Sequence, residues 1–320
     1  MMEKKIIAVV GATGAQGGGL VNAILSDPDQ EFGVRVLTRD PKSDKAKALK
    51  ERGAEIAHAD VNDKESLIKA FKGAYGAFCV TFFWDHFSAE IEMEQARLMA
   101  EAAEAAGLEH LIWSTLEDTR KWVPIEDKRM PTLQEKYKVP HFDAKGASDK
   151  YFKDSKVPVT LLRTSFYWEN FIHFGMAPKR GDDGTLSLVM PLEEAKMPSM
   201  CVEDIGRCAL GVFKAGKQYQ GKTIGISGEF LTGKQMAETF SEVFGEKVKY
   251  VSVPHDVYRG FDFPGADDLG NMYQFKVDFE EVYCANRDLE LSRKLNPKLE
   301  TFHGWLVRHK EQIPMETQTA

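Results

Sequence analysis

The stretch VVGATGAQGGGL, residues 9–20, decides the reading of the fold. It carries five glycines, directly after the apolar run KIIAVV and directly before an amphipathic segment. Glycine inside a regular element costs about 0.5–1 kcal/mol relative to alanine, so several in one turn point to a backbone that something must approach closely. Gly11, Gly14 and Gly17 stand as G-x-x-G-x-x-G. Alone, that spacing is a weak signal. Between a first strand and a first helix it predicts a dinucleotide cradle. The early glycines tighten the turn and admit the pyrophosphate, and the helix start offers free N–H groups and a positive dipole end. Gly18 and Gly19 are expected to serve close helix–sheet packing. The competing reading is a flexible turn without a ligand.

Outward from the turn, short apolar runs alternate with helical spacing. KIIAVV, VRVLT, AEIAHA, AFCVT, HLIWS and VTLLR read as six strands, with helices marked by Leu20, Val21, Ile24 and Leu25 and by Ala96, Leu98, Met99 and Ala102. Continuous runs of this kind belong to parallel strands buried on both faces, and the alternation predicts an α/β fold with a doubly wound parallel sheet. Past Arg163 the regularity fades. LSLVM, MCVEDIGRCAL and KTIGIS suggest further strands and a helix. LTGKQMAETFSEVFGE predicts a helix with a capping box from Thr232 and Gln235, and ETFHGWLVRHKEQI a last helix in which Trp305 packs. The expected division is a dinucleotide-binding domain at 1–165, to which segments near 186–228 return, and a smaller α+β domain at 166–320 on the ligand or partner side.

The charge balance, 42 basic against 49 acidic residues for a net −7, shows no basic tract, so a nucleic-acid partner is not expected. No stretch approaches the roughly 18–20 apolar residues that cross a bilayer, and the first residues lack a signal-peptide cleavage pattern. Neither membrane nor export is expected; the cytoplasm is, with entry to the nucleus left open. Cys79, Cys201, Cys208 and Cys284 are scattered without a C-x-x-C spacing, which points away from a metal or disulfide framework and towards buried thiols.

The second strand ends in LTRDPKSDK. An NAD-binding chain carries an acid there for the ribose hydroxyls, whereas this one has Thr38 and Arg39, followed by Lys42 and Lys45. A guanidinium holds a phosphate bidentately and stacks on adenine, so NADP(H) is expected over NAD(H); otherwise Arg39 is a solvated charge. Asp60, in HADVND, is placed for the adenine edge or for a helix cap. Thr81, Phe82 and Phe83, in VTFFWDHF, either wall the nicotinamide side or belong to the core.

Together with HFDAKG, FYWENF, FPGADDLGNMYQF and RDLELSRKLNP, these residues resemble the NmrA-like family of atypical short-chain dehydrogenase/reductases, its HSCARG-type NADPH sensors in particular, along nearly the whole chain. The resemblance implies a Rossmann domain, NADP(H), and cofactor contacts at Gly11, Ala12, Thr13, Gly14, Ala15, Gln16, Gly17, Arg39, Asp60, Val61, Thr81, Phe82, Phe83, Lys145, Tyr167, Trp168, Glu169 and Asn170. Working short-chain reductases pair a tyrosine with a lysine four residues on, and here His141 precedes Lys145. Ser114 stands where the catalytic serine would. Histidine donates protons near neutral pH, but it also serves as an ordinary cap or surface residue. Lys145, His141 and Ser114 are thus candidates without a firm catalytic assignment. Two functions follow. One is an NADP(H)-responsive redox sensor whose cofactor occupancy controls conformation and association with a protein partner or itself. The other is an NADPH-dependent reductase of a small enone, quinone or phenolic substrate, with Lys145 as general acid or base.

Overall fold

In the computed structural model, which describes residues 4–314, the opening apolar run forms β1 (Lys5–Val9) and the glycine stretch turns into α1 (Ala15–Leu25). The alternation continues through β2 (Phe32–Thr38), α2 (Asp44–Glu51), β3 (Glu55–His58), α3 (Lys64–Phe71), β4 (Gly76–Cys79), α4 (Ala89–Ala106), β5 (His110–Thr115), α5 (Pro140–Asp154), β6 (Val159–Arg163), α6 (Val202–Lys214) and β7 (Thr223–Gly225). The strands form one sheet in the order β7-β6-β5-β4-β1-β2-β3, with every neighbouring pair parallel. Ile7, Ala8 and Val9 and the whole of β5 are buried, which is why these strands read as unbroken apolar runs. Strand order reverses between β1 and β4, and a doubly wound sheet opens a crevice at that point, outside the carboxyl ends of its strands.

Two backbone approaches lock this sheet to its helices. A Cβ at Gly17 would lie 2.4 Å from the Gly11 carbonyl oxygen, whereas one at Gly18 would make an ordinary 3.5 Å contact with the Ala12 carbonyl. A Cβ at Gly206 would fall 2.0 Å from the Gly19 carbonyl carbon. The expectation for Gly18 is corrected accordingly: Gly17 fits α1 to its own turn, and Gly206, on α6, lets that helix lie directly on the α1 backbone at Gly19.

By contact, the chain divides into two units. The first holds the residues up to Asp118 with Pro140–Thr164 and Glu203–Gly225; the second holds Thr119–Val139, Ser165–Val202 and the residues from Ile226 onward. The sequence reading divides the chain at 165 with segments near 186–228 returning to the first domain; here 203–225 groups with the earlier residues, while 119–139 and 186–202 group with the later ones. The 119–139 excursion is tied by buried Lys138, whose ammonium donates to Asp127 O (2.6 Å), Met130 O (3.1 Å) and Thr132 Oγ1 (3.0 Å). Asn271, on the helix Ala266–Asp278, donates to Pro131 O and Lys138 O.

The second unit contains two small sheets, one of Glu229–Thr232, Lys196–Met200 and Phe166–Tyr167, the other of Val248–Val251, Leu186–Val189 and Lys179–Arg180. Its helix Gly233–Phe244 begins with the expected capping box of Thr232 and Gln235. Trp168, Phe171, Phe240, Phe302 and Trp305 form its aromatic core, with Trp305 in the packing role the sequence suggests.

In the first unit, the Thr160 hydroxyl donates to Tyr219 O, so it accepts from His110 Nε2 at 2.9 Å. His110 is thereby the neutral Nε2–H tautomer, and burial pulls its imidazole down from 6.5 to about 4. All four cysteines are free thiols: Cys79, Cys201 and Cys208 are buried and Cys284 is partly covered. Burial raises the thiols of Cys79 and Cys208 well above their ordinary range and pushes Cys284 up to about 11. Among the described residues, no helix is long and apolar enough to cross a membrane.

Candidate functional site

The carboxyl ends of β1, β2, β4 and β5 carry most of the residues singled out in the sequence. After β1 the chain turns through Gly11, at φ +66, a left-handed conformation that favours glycine. Gly14 N donates to Gly11 O at 2.9 Å and closes the turn. Gly14 is also the N-cap of α1, which has no side-chain cap and no acidic residue in its first turn. The first N–H groups of a helix have no partner within it, so this end suits an anion. A Cβ at Gly14 would lie no closer than 3.3 Å to the protein, at Gly11 O, and its φ of −97° is open to any residue. A side chain at this position therefore asks the Gly11 carbonyl to move by only a few tenths of an ångström. Gly11, Thr13, Gly14 and Ala15 are exposed, while Ala12, Gln16 and Gly17 are buried.

Beyond β2, Arg39 reaches into solvent with its side chain 71% exposed, and its ion pair with Asp85 is a loose 3.9 Å. Asp60 serves its own loop: Oδ1 accepts from Asn62 N and Nδ2, and Asp63 rather than Asp60 caps α3. Val61 packs its side chain against the core. Of the aromatic pair after β4, Phe83 is buried and Phe82 is 56% exposed.

The densest polar cluster surrounds Lys145 on α5. A Cβ at the next residue, Gly146, would meet Asp118 N at 2.4 Å, so α5 lies hard against the backbone that follows β5. The Lys145 ammonium lies 2.6 Å from Thr81 Oγ1, 3.1 Å from Thr81 O and 2.9 Å from Glu92 Oε1, over the Trp113 ring. Glu92, on α4, is wholly buried. Sequence reasoning missed it. Its signal was a glutamate on the buried stripe of Ala89, Gln95, Ala96 and Met99, where a carboxylate needs a partner. His86 Nε2 stands 3.7 Å from the second Glu92 oxygen. Ser114 lies within β5, and its hydroxyl donates to Gln16 Oε1 at 2.7 Å, joining it to α1. His141 is buried against Trp84 and Phe83, at ring distances of 4.8 and 5.9 Å. That packing makes it part of an aromatic cluster.

Tyr167, Trp168, Glu169 and Asn170 belong to the second unit. Trp168 is part of its aromatic core, and the Glu169 carboxylate accepts from Val202 N at 3.0 Å and from Trp305 Nε1 at 3.1 Å. Asn170 opens a single helical turn, Asn170–His173.

Comparison with known proteins follows the same lines. The sequence pattern of the NmrA-like family matches residues 3–306. An NmrA-like family domain-containing oxidoreductase, malD of Malbranchea aurantiaca, is 30% identical over 259 residues, covering 78% of this chain and 75% of its own length. The crystal structure of NmrA, a negative transcriptional regulator, in complex with NADP superposes with a TM-score of 0.77 at 22% identity, covering 96% of this chain and 95% of that one. The triphenylmethane reductase of Citrobacter sp., complexed with NADP(H), gives 0.73 at 21% identity, covering 95% and 99%.

Proposed function

Because this chain belongs to the NmrA-like family, we propose that it binds NADP(H) and acts as a redox-sensing regulator, its cofactor occupancy controlling conformation and association with a protein partner or itself. The residues present fit the cofactor. The uncapped start of α1 takes the pyrophosphate, and Gly14, whose missing side chain the fold demands far less strictly than that of Gly17, keeps the approach clear. Arg39, held only by a loose ion pair, takes the 2′-phosphate, and Lys145 the nicotinamide ribose. When bound, the nicotinamide supplies a hydride or the vacancy for one.

The observation that carries the regulatory reading is the state of Lys145 and His141. The ammonium is engaged by Thr81 and Glu92, and the histidine at the position of a reductase's proton donor is boxed among aromatic rings. A second reading is favoured by the oxidoreductase name of the fungal relative and by the reductase neighbour: NADPH-dependent reduction of an enone, quinone or phenolic compound, with Lys145 moving the proton.

Calorimetric titration tests the cofactor. NADPH should bind much more tightly than NADH, and Arg39→Asp should cost about 1.5–3 kcal/mol of NADPH affinity, the value of a hydrogen bond to a charged group. Equal affinities in the unaltered protein would overturn it. For the output, a panel of carbonyl compounds and quinones should give no enzyme-like NADPH oxidation, while apo and NADPH-bound protein should differ in self-association or partner capture. Turnover without such a difference establishes the reductase instead.

A further inference from the structure

We infer that Thr81 is an internal competitor for Lys145, holding the donors a cofactor sugar would take, and that Glu92 is the positioning residue that keeps the ammonium in place. The inference rests on the NADP(H) reading above. An ammonium has three N–H donors. In Lys145 two of them go to the hydroxyl and carbonyl oxygens of Thr81, and the charge is paired with Glu92 Oε1 at 2.9 Å. The Thr81 hydroxyl gives its own proton to Glu92 Oε1, 2.5 Å away, so its lone pairs face Lys145. The three residues thus close a ring of hydrogen bonds and one ion pair around the ammonium. A ribose hydroxyl accepts from Lys145 only by displacing one of its members.

Which member yields follows from charge. Lys145 is 8% exposed and Glu92 wholly buried, so separating the carboxylate from the ammonium would strand a charge in the interior. The Thr81 oxygens are neutral, and displacing one leaves no stranded ion. Thr81 is therefore the residue that gives way, and it opens the segment 81–88 after β4. That segment already stores backbone strain at Phe87, a bulky residue at φ +54. Its histidine faces the same carboxylate. Ser88 N donates to His86 Nδ1 at 3.1 Å, which puts the neutral ring's proton on Nε2. Nε2 and Glu92 Oε2 are buried, lack hydrogen-bond partners and lie 3.7 Å apart. Glu92 accordingly grips Lys145 with one oxygen and offers the other to the loop that Thr81 releases.

The test is the sign of an affinity change, measured by NADPH titration of the full chain. Thr81→Val removes the hydroxyl and leaves one Lys145 donor waiting for the sugar, so NADPH should bind roughly three- to tenfold more tightly, the value of an ordinary hydrogen bond. Glu92→Gln should bind at least about tenfold more weakly, in keeping with a charge-assisted bond lost. In a Lys145→Met background the gain from Thr81→Val should vanish. If Glu92→Gln does not fold, the Thr81→Val pair still decides. Weaker binding by Thr81→Val makes Thr81 a direct cofactor ligand and overturns the inference, as does a gain that survives Lys145→Met. Both outcomes leave NADP(H) binding intact. Failure of the unaltered chain to bind NADPH removes that reading, and the inference with it.

Discussion

A methyl group at Gly14 and one at Gly17 should have opposite consequences. At Gly14 the new Cβ meets only the Gly11 carbonyl at 3.3 Å, so Gly14→Ala should melt close to the unaltered protein yet lose NADPH binding. At Gly17 it would stand 2.4 Å from the same oxygen, so Gly17→Ala should lose about 1–3 kcal/mol of stability. Thermal melts with and without NADPH separate the two, and undiminished binding by Gly14→Ala would remove the turn from the cofactor surface. His110 supplies a pH test. Its imidazole is held at about 4 against an ordinary 6.5, so the unfolded chain takes up the proton first as pH falls. Its contribution is complete above pH 6.5 and is lost towards pH 4, by up to about 3 kcal/mol. Urea melts at pH 7 and 4.5 should show that loss shrinking in His110→Asn; an equal loss would assign it to other groups. At this scale Gly14 and Arg39 were legible because their chemistry is local to one turn. Glu92 was not, because its meaning lies in a partner on another element, just as Thr81 meets Lys145 across 64 residues.

Helices and strands were legible where one face or both is apolar. Six of the seven strands of the sheet announce themselves as continuous runs, and the helix Gly233–Phe244 by its cap and period. Replacing Thr232 by Ala removes both halves of that capping box and should cost about 1 kcal/mol, measured by urea unfolding. No change would mean that the first turn is held by packing alone. The 119–139 excursion was not legible. It is secured by one lysine and one asparagine donating to backbone oxygens, an arrangement without periodicity. β7, though only three residues long, was legible as a strand in KTIGIS.

At the scale of the molecule, the chain leaves the first unit after Asp118, returns at Pro140, leaves after Thr164, returns at Glu203 and leaves again after Gly225. A cut at the domain boundary suggested by sequence therefore falls inside a folding unit. A fragment of residues 1–165 lacks α6 and β7, which bares the edge of β6 and the Gly19 face of α1. It should show no cooperative melt by circular dichroism, whereas residues 1–225 keep every strand of the sheet and should melt cooperatively. A sharp transition in the shorter fragment would show that α6 and β7 are dispensable. The sequence reading returns segments near 186–228 to the first domain, and of these 203–225 group with it. It could not show the departure at 119, since leaving a sheet takes no special residue.

The buried thiols bear on how such a protein could hear an oxidant at all. Peroxides and alkylating agents attack the thiolate, and accessible thiolate is what this chain lacks: Cys79, Cys201 and Cys208 are closed off, and Cys284 is pushed up to about 11. On the regulatory reading, oxidative stress reaches it as a change in the NADPH/NADP+ ratio rather than as damage to sulfur. Recovery then needs no thioredoxin or glutathione, and the signal lasts only as long as the nucleotide imbalance itself.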